Sequence, residues 1–466
     1  MQTDNATQFT LLYGLNDHPG LGRSALTAAA HLLAIVASIA TAPLLIARGL
    51  DLAPDTTTYI IGLALIVSGL ATFIQVYRVG PLGSGLLSIQ GTSFAFIGAM
   101  IYAGSMLGET NTPSNEVLGI ILGSAAAGAA CTILAGYYVQ HLRRIITPTV
   151  TGITIFLLGL SLVGAAWNNL QFTFAGAAAQ EEPAWPIVLQ VVIVILSIGL
   201  CALSKQPWLR LTSIPIGLCM GMLTAALSSG LSSPESGPSG LILPTVVPFS
   251  LDFDIGVFLV LLPIFLVTVA ESIGDLTATS LLSGEPVRGP RYWQRVRGGV
   301  MADGFNSVLA ACLGTFPNTT FSQNNGVIRL TGVASRRVGY MVALMLIVLG
   351  ALPSFAQLFQ SLPGGVLHSA TGLLFALIAW TGWRMLRDQP KTSNTLLRLT
   401  ICTALALGMT QMPDLLARMG VPVPDYLALL CSFPVATGAL LAMGWEVLDS
   451  SSSTQNINTG DDASDH

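Results

Sequence analysis

The chain carries very little charge. Only 42 of its 466 residues are Asp, Glu, Lys or Arg (23 + 19), a share of 9%, whereas an ordinary soluble domain has about 25%. Hydrophobic residues make up 52%, and they form long blocks of about the 20 residues that a helix needs to cross a bilayer. A soluble globular fold is therefore excluded. Seven such blocks occur in each half of the chain, which predicts an all-α polytopic membrane protein with about 14 transmembrane spans.

Motifs of several other functional classes are missing. The six cysteines stand singly in apolar blocks without CxxC spacing, which argues against disulfides and metal sites. The sequence contains no GxxxxGK[ST] nucleotide-binding loop, which argues against ATP-driven transport. Basic residues do not cluster with aromatic residues, so nucleic acid is not an expected partner. Gly274-Asp275 matches the GxGD pattern of intramembrane aspartyl proteases only in part, because Ser272 replaces the first glycine; an intramembrane enzyme is a remote alternative.

The distribution of basic residues predicts the topology. Lys and Arg accumulate in cytoplasmic loops, and with an even span count all 19 except Arg48 and Arg418 fall on the cytoplasmic side. One missed span would invert every following loop, so this asymmetry favours an even number. We expect both termini in the cytoplasm of a bacterium, a multi-pass location in its inner membrane, and a disordered polar tail at residues 448–466.

The apolar spans of the two halves are interrupted at corresponding positions. The third span contains "LGSGLLSIQGTSFAFIGAM" (Leu82 to Met100), and the tenth contains "FPNTTFSQNNGVIRL". Each breaks an apolar segment with glycine and polar residues. Seven spans per half is an odd number, so a duplicated half would enter the membrane in the opposite orientation. This pattern predicts two inverted seven-span repeats, the plan of many secondary transporters, in which broken spans meet near the midplane.

The breaks in spans 3 and 10 predict a binding site. Non-helical backbone is tolerated in hydrocarbon only where it is buried in protein or lines a cavity. Pro317 lacks an amide hydrogen and Gly326 weakens a helix, so we expect a short strand in "NTTFSQ" and a half-helix that begins near Asn324. The matching strand of span 3 is expected at "SFAF". Two short antiparallel strands, each followed by a half-helix, would enclose a polar pocket.

Four ionisable residues lie within the spans: His31, Glu271, Asp275 and Asp303. Each costs about 2.5–3.5 kcal/mol to insert, and such residues usually face a pathway. Glu271 and Asp275 are four residues apart and therefore share one helix face. Asp275 could instead pair with a neighbouring helix, and Asp303 could form a structural hydrogen bond to the broken span as well as carry a proton. His31 could donate to Glu271 or Asp275, or be a satisfied core histidine.

Side-chain amides beside a carboxylate favour a particular ligand chemistry. Gln323 and Asn324 offer paired donors and acceptors, which suit an uncharged or weakly acidic ligand with alternating NH and C=O groups. Phosphate or sulfate would require Arg or Lys in the pocket. Arg329 is the one basic residue of this segment, and it is expected at the cytoplasmic edge.

"QNNGVIRLTG" (Gln323 to Gly332) resembles the signature of the nucleobase-ascorbate transporter family, also called nucleobase:cation symporter family 2. The signature runs Gln/Glu/Pro, Asn, any, Gly, four of any, Thr, then Arg, Lys or Gly, and every position is met. "VTVAESIGDLTATS" and "GVMADGFNSVLA" resemble the family's eighth and ninth spans. "FPNTTFSQNNGV" is similar to the bacterial xanthine and uric acid permeases of that family.

The resemblance implies a core domain (24–140 and 255–360) and a gate domain (146–230 and 364–447) through which the protein forms a homodimer. It further implies import of a purine nucleobase with a proton as the coupling ion and without a cofactor. Carried over, Glu271 and Gln323 would hydrogen-bond the purine, with backbone amides near Phe94 and Ser322, and Phe94 would stack on it. Asn324 and Asp275 would shape the site. Proton coupling would involve Asp303, Asp275 and His31, which matches a first-span histidine. Passage or selectivity would depend on Asn325, Gly326 and Thr331.

The substrate is expected to be an oxidised purine. Gln323 stands where uracil permeases of the family typically carry Glu, which favours xanthine. Ser93 stands where some xanthine-selective relatives carry Asn, so its smaller side chain could leave room for the extra carbonyl of uric acid. Transport of uracil or of an inorganic anion on the same fold is the main alternative.

Overall fold

Long apolar helices dominate the structure, because a helix satisfies its own backbone hydrogen bonds in hydrocarbon. The computed structural model describes residues 11–108, 113–142, 147–228, 240–387, 393–421, 431 and 433–460. The helices are α1 (Leu21–Gly49), α2 (Pro54–Tyr77), α3 (Ile97–Gly108), α4 (Ser114–Tyr137), α5 (Val139–Leu142), α6 (Pro148–Ala179), α7 (Trp185–Leu203), α8 (Pro207–Leu211), α9 (Ser213–Ser228), α10 (Ile255–Leu282), α11 (Pro290–Cys312), α12 (Gln323–Thr331), α13 (Arg336–Gly350), α14 (Pro353–Gln360), α15 (Gly364–Arg387), α16 (Ser393–Met409), α17 (Met412–Arg418) and α18 (Pro434–Gly460).

The helices confirm a polytopic membrane protein. Within the described ranges, seven helices are long and apolar enough to cross a membrane, and the bent pair α13 and α14 would make an eighth. Each of the predicted segments overlaps a helix, but several of these helices are short. The count of 14 spans and the inverted repeat therefore stay predictions.

The helices pack into an extensive core. α4 packs on α11, α2 on α13, and α6 on α15. Buried side chains from α1, α2, α4 and α10 form the largest hydrophobic cluster, together with residues of α13 and α15. The division into core and gate domains stays a prediction. The last helix continues through residues 448–460, which were expected to be a disordered tail; residues 461–466 lie outside the described part of the chain.

Two short strands interrupt the helices, as the broken-span pattern predicts. β1 (Gln90–Thr92) pairs antiparallel with β2 (Asn318–Thr320), and Gly91 lies opposite Thr319. α12 then begins at Gln323, one residue before the predicted start. Gly91 is needed here because a Cβ on it would approach Phe321 Cζ to 2.8 Å and Ile39 Cγ1 to 2.7 Å.

The expectation of a strand at "SFAF" is wrong. The strand ends at Thr92, and residues Phe94–Phe96 form a 3-10 turn that leads into α3. Ser93 starts this turn, since its Oγ accepts a hydrogen bond from Ala95 N at 3.3 Å. The ladder ends because Ser93 N donates to Pro317 O at 2.9 Å, while Pro317 has no amide hydrogen to return.

Neighbouring helices provide hydrogen-bond acceptors for backbone N–H groups of both strands. Gln90 N donates to Thr72 Oγ1 of α2 at 3.0 Å, and Asn318 N donates to Ser307 Oγ of α11 at 3.1 Å. Buried backbone groups need such partners. The broken spans are therefore fixed between α2 and α11, which holds the half-helices α3 and α12 in place.

Candidate functional site

A cavity lies where the two strands meet the half-helices. Five predicted site residues line it, namely Ser93, Phe94, Glu271, Ser322 and Gln323. Its other lining residues are Ala95, Leu158, Thr319, Thr320, Phe321 and Ile378. The structure thus brings residues from α10, from both broken spans, and from α6 and α15 to one place.

Glu271 and Gln323 face the cavity without protein partners. Glu271 lies in the middle of α10, and Gln323 is the first residue of α12. Among the described residues, neither side chain has a hydrogen-bonding partner, and neither has a fully buried unsatisfied atom. A carboxylate accepts hydrogen bonds, whereas an amide both donates and accepts. The cavity therefore offers complementary polar groups to a ligand.

Two aromatic rings face each other at this cavity. The rings of Phe94 and Phe321 are 13° from parallel, with centroids 6.4 Å apart. Phe375 of α15 holds Phe94 in place by an edge-on contact at 5.6 Å. Parallel rings of this kind provide faces on which a planar ligand can stack.

The cavity is narrow in this conformation. Its volume is ≈ 40 Å³, and a single water needs roughly 10–15 Å³ measured in this way. A few water molecules fit, but a purine base does not. Ligand binding therefore requires the Phe94 and Phe321 rings, or the helices behind them, to move apart.

The start of α12 also contributes polar groups. Ser322 and Gln323 line the cavity at the helix N-terminus. Asn324 N and Asn325 N donate to Phe321 O at 3.2 Å and to Ser322 O at 3.0 Å. This end therefore contributes mainly the positive pole of the helix dipole, which favours partial negative charge. A carbonyl oxygen of a ligand would be stabilised there.

Asp303 lies behind the cavity and not in its wall. This residue of α11 is 3% exposed, and it accepts hydrogen bonds from Ser272 Oγ of α10 and, at 3.3 Å, from Gln75 Nε2 of α2. The Ser272 hydroxyl also lies 3.5 Å from Thr319 Oγ1 of β2. Asp303 is therefore linked through Ser272 to a residue that lines the cavity.

Neither Asp275, which is half-buried, nor His31, which is fully buried, lines the cavity. Asp275 lies one turn beyond Glu271 on α10, and its Oδ2 atom has no hydrogen-bonding partner among the described residues. Both ring nitrogens of His31, which is fully buried, also lack a partner in this part of the chain. Neither alternative for His31 is therefore found among the described residues: it donates to neither Glu271 nor Asp275, and it is not a satisfied core histidine. Within the described ranges, no group of three His, Cys, Asp or Glu residues could hold a metal ion.

The remaining signature residues lie along α12. Asn324 is 1% exposed, and its Nδ2 donates to Leu87 O in the segment before β1. Asn325 Oδ1 accepts from Thr279 Oγ1 of α10 at 2.7 Å, and Gly326 is exposed. Thr331 closes the helix, since its Oγ1 accepts from Val333 N at 3.3 Å. None of the four lines the cavity. Asn324 and Asn325 hold α12 against its neighbours.

Residues 22–415 match the Xan_ur_permease model, described as "Permease family". The chain belongs to this nucleobase-ascorbate transporter family. It is therefore a transporter and not an enzyme.

Relatives within the nucleobase-ascorbate transporter family cover nearly the whole chain. The xanthine permease XanP of Escherichia coli (strain K12) is 38% identical over 95% of this chain and 94% of its own length. The xanthine permease XanQ of the same strain is 35% identical over 93% of this chain and 92% of its own. The uric acid-xanthine permease of Emericella nidulans is 32% identical over 86% and 75%, respectively.

Solved structures show the same fold at much lower identity. The transmembrane domain of a cyanobacterium bicarbonate transporter, BicA, aligns with a TM-score of 0.56 at 10% identity, over 92% of this chain and 98% of that one. Because the identity is so low, this likeness concerns the fold alone. It therefore carries no argument for a bicarbonate substrate.

Several residues of the site were not predicted from the sequence. Thr319, Thr320 and Phe321 follow directly from the position of β2, so a correct strand register would have placed them. Gln75 is a buried amide within an apolar span, and this polar residue was a usable signal. Leu158 and Ile378 are ordinary apolar residues of α6 and α15, and no local pattern distinguishes them.

Proposed function

We propose that this permease imports an oxidised purine, xanthine and/or uric acid, together with a proton. The observation that carries the proposal is the pair of unpartnered polar groups, Glu271 and Gln323, at a cavity between two nearly parallel aromatic rings. A planar heterocycle with alternating NH and C=O groups matches both features. The Glu271 carboxylate would accept from an NH group, and the Gln323 amide would bind an adjacent NH and C=O edge.

The relatives support the substrate class. XanP and XanQ are named xanthine permeases, and the Emericella nidulans relative is named a uric acid-xanthine permease. The cavity wall contains no Arg or Lys among the described residues. An inorganic anion would lack a counter-charge in such a wall, so a neutral or weakly acidic purine is the better match.

We assign the proton to Asp303 and Asp275, neither of which lines the cavity. Asp303 is buried and linked to the cavity through Ser272 and Thr319, and Asp275 lies one turn from Glu271. Protonation of such a carboxylate changes which hydrogen bonds its neighbours make. Transport would proceed by alternating access in the bacterial inner membrane, with cytoplasmic termini and a homodimer formed through the gate domain. α7 exposes an apolar face that includes Val192, Leu196 and Leu200, and this face is available to lipid or to a second subunit.

Uptake measurements test the proposal. Cells without endogenous purine transport would express the chain, and the uptake of radiolabelled xanthine and urate would be measured with and without a proton uncoupler. We expect saturable uptake that the uncoupler abolishes. Uracil as the strongest competitor, or competition by sulfate or bicarbonate, would contradict the purine assignment.

A charge-neutralising variant tests the site. Glu271→Gln should lower xanthine uptake by at least about tenfold, because a hydrogen bond to a charged group contributes about 1.5–3 kcal/mol. Glu116→Gln makes the same chemical change at an exposed position at the start of α4, and uptake should be unchanged. If both variants transport like the original chain, Glu271 does not bind the substrate.

The choice between the two purines depends on the space at Ser93. Ser93→Asn places a larger side chain against the cavity, so we expect uric acid uptake to fall more than xanthine uptake. Comparing the KM of the two substrates in this variant measures the difference. An equal change in both would mean that Ser93 does not select between them.

A further inference from the structure

An apolar groove lies between α1, α9 and α14, away from the candidate site. Its volume is ≈ 350 Å³. Val36 of α1, Met222 and Cys219 of α9, and Phe359 of α14 line it, together with Leu362, which follows α14. Leu358, on the rim, is 51% exposed. Its lining residues are apolar, which favours an apolar occupant over water.

A cation lies at one end of this groove. Arg48, in the last turn of α1, is exposed, and its Nη2 donates to Gln360 O at 2.8 Å and to Leu362 O at 3.2 Å. Leu362 is also a lining residue, so the guanidinium is contiguous with the groove. In the described part of the chain, the ion pairs do not include Arg48. The guanidinium has five N–H donors, and its Nε and Nη1 groups face no protein acceptor there.

The separation of Val36 and Arg48 along α1 is close to the depth of one lipid leaflet. Val36 and Arg48 are twelve residues apart on α1, which corresponds to about 18 Å along a helix. One half of the hydrocarbon core of a bilayer is about 15 Å thick. If the Arg48 guanidinium lies at the level of the lipid phosphates, Val36 lies near the middle of the membrane. On α1 the groove is lined by Val36 and Ala37 alone, and Leu362 joins it to Arg48. A chain that begins at Arg48 and reaches Val36 therefore passes along Leu362 and Phe359, because residues 38–47 of α1 are buried in the core.

We propose that this groove binds one acyl chain of an anionic phospholipid whose phosphate pairs with Arg48. Guanidinium groups bind phosphate through paired, charge-assisted hydrogen bonds. The bound chain lies between α9 on one side and α1 and α14 on the other. The lipid thus fills a gap that the protein's own side chains leave between these helices.

A titration of the purified full-length chain with phosphatidylglycerol, followed by native mass spectrometry, tests the charge. Arg48→Gln should weaken the binding of one lipid by about tenfold, the effect of losing a hydrogen bond to a charged group. Arg418→Gln, the same change in another exposed arginine, should leave it unchanged. Phosphatidylcholine should bind less tightly, and glycerol 1-phosphate, a headgroup without chains, should not compete. Equal affinity of the original chain and Arg48→Gln would overturn the proposal.

The position of the acyl chain is tested by photo-crosslinking. Phosphatidylglycerol with a diazirine near the end of one acyl chain should label the peptide that contains Val36, which lies at the end of the groove away from Arg48. Ala37→Trp, which fills the groove, should remove this labelling. Labels confined to other helices would contradict the assignment. Protection of the groove by a second copy of the chain, seen as crosslinks between subunits in place of lipid adducts, would also contradict it.

Discussion

The rings of Phe94 and Phe321 stand 6.4 Å apart and 13° from parallel, each following one of the two paired strands. A purine that stacks on both rings loses one face when Phe321 is replaced by Leu. Stacking of a base on an aromatic side chain contributes about 1–3 kcal/mol. Phe321→Leu should therefore raise the KM for xanthine roughly 5- to 150-fold, as measured by initial uptake rates.

The matched control for this change is Phe172→Leu. Phe172 lies on α6 and is 74% exposed, so the same substitution removes a ring from the protein surface and should not affect the KM. A KM that is unchanged in Phe321→Leu, with normal expression, would show that the ligand does not stack on this ring.

Asn324 stabilises the site, although its side chain does not line the cavity. Its Nδ2 donates to Leu87 O, which ties α12 to the segment that enters β1. Asn324→Ala leaves this buried carbonyl without its donor, at a cost of about 1–3 kcal/mol. We expect a lower melting temperature in detergent and weaker xanthine binding, because the starts of α12 and β1 are no longer held together.

Asn325→Ala is the appropriate comparison for the Asn324 variant. Asn325 is half-buried and accepts from Thr279 Oγ1, which also lies 2.8 Å from Asp275 O. Thr279 keeps an acceptor when Asn325 is replaced, so the melting temperature should change much less. A larger loss in Asn325→Ala than in Asn324→Ala would mean that the Leu87 contact does not stabilise the site.

The sequence predicted the broken spans because their cause is local. Pro317 removes a hydrogen-bond donor, and amides next to it have no use in lipid, so a strand and a half-helix were expected and are found. The strand at "SFAF" was misplaced because its position depends on Pro317, more than 200 residues away, which ends the ladder at Thr92. Strand register is a tertiary property, and alternation of side chains alone does not determine it.

Only the polar residues of the cavity could be predicted from the sequence. Glu271 and Gln323 are conspicuous in an apolar chain, whereas Leu158 and Ile378 resemble any other residue of a span. The hydrogen bond that His31 could donate to Glu271 or Asp275 is not formed, for a related reason. Helix periodicity places residues on a face of their own helix, but which faces meet depends on how the helices pack.

The buried carboxylate of Asp303 gives the sharpest test of coupling. Asp303→Asn keeps the shape of the side chain, and its oxygen can still accept from Gln75 while the Ser272 hydroxyl turns to accept from the new amide. The variant cannot exchange a proton. We expect it to catalyse exchange of xanthine across preloaded vesicles but to accumulate none above the equilibrium level, with or without an uncoupler.

Ser272→Ala, which removes a hydrogen bond to Asp303 but keeps the carboxylate, should still accumulate xanthine in an uncoupler-sensitive manner. If Asp303→Asn accumulates xanthine normally, the proton is carried by another group. If it loses exchange and its melting temperature falls, Asp303 serves the packing of α2, α10 and α11 instead.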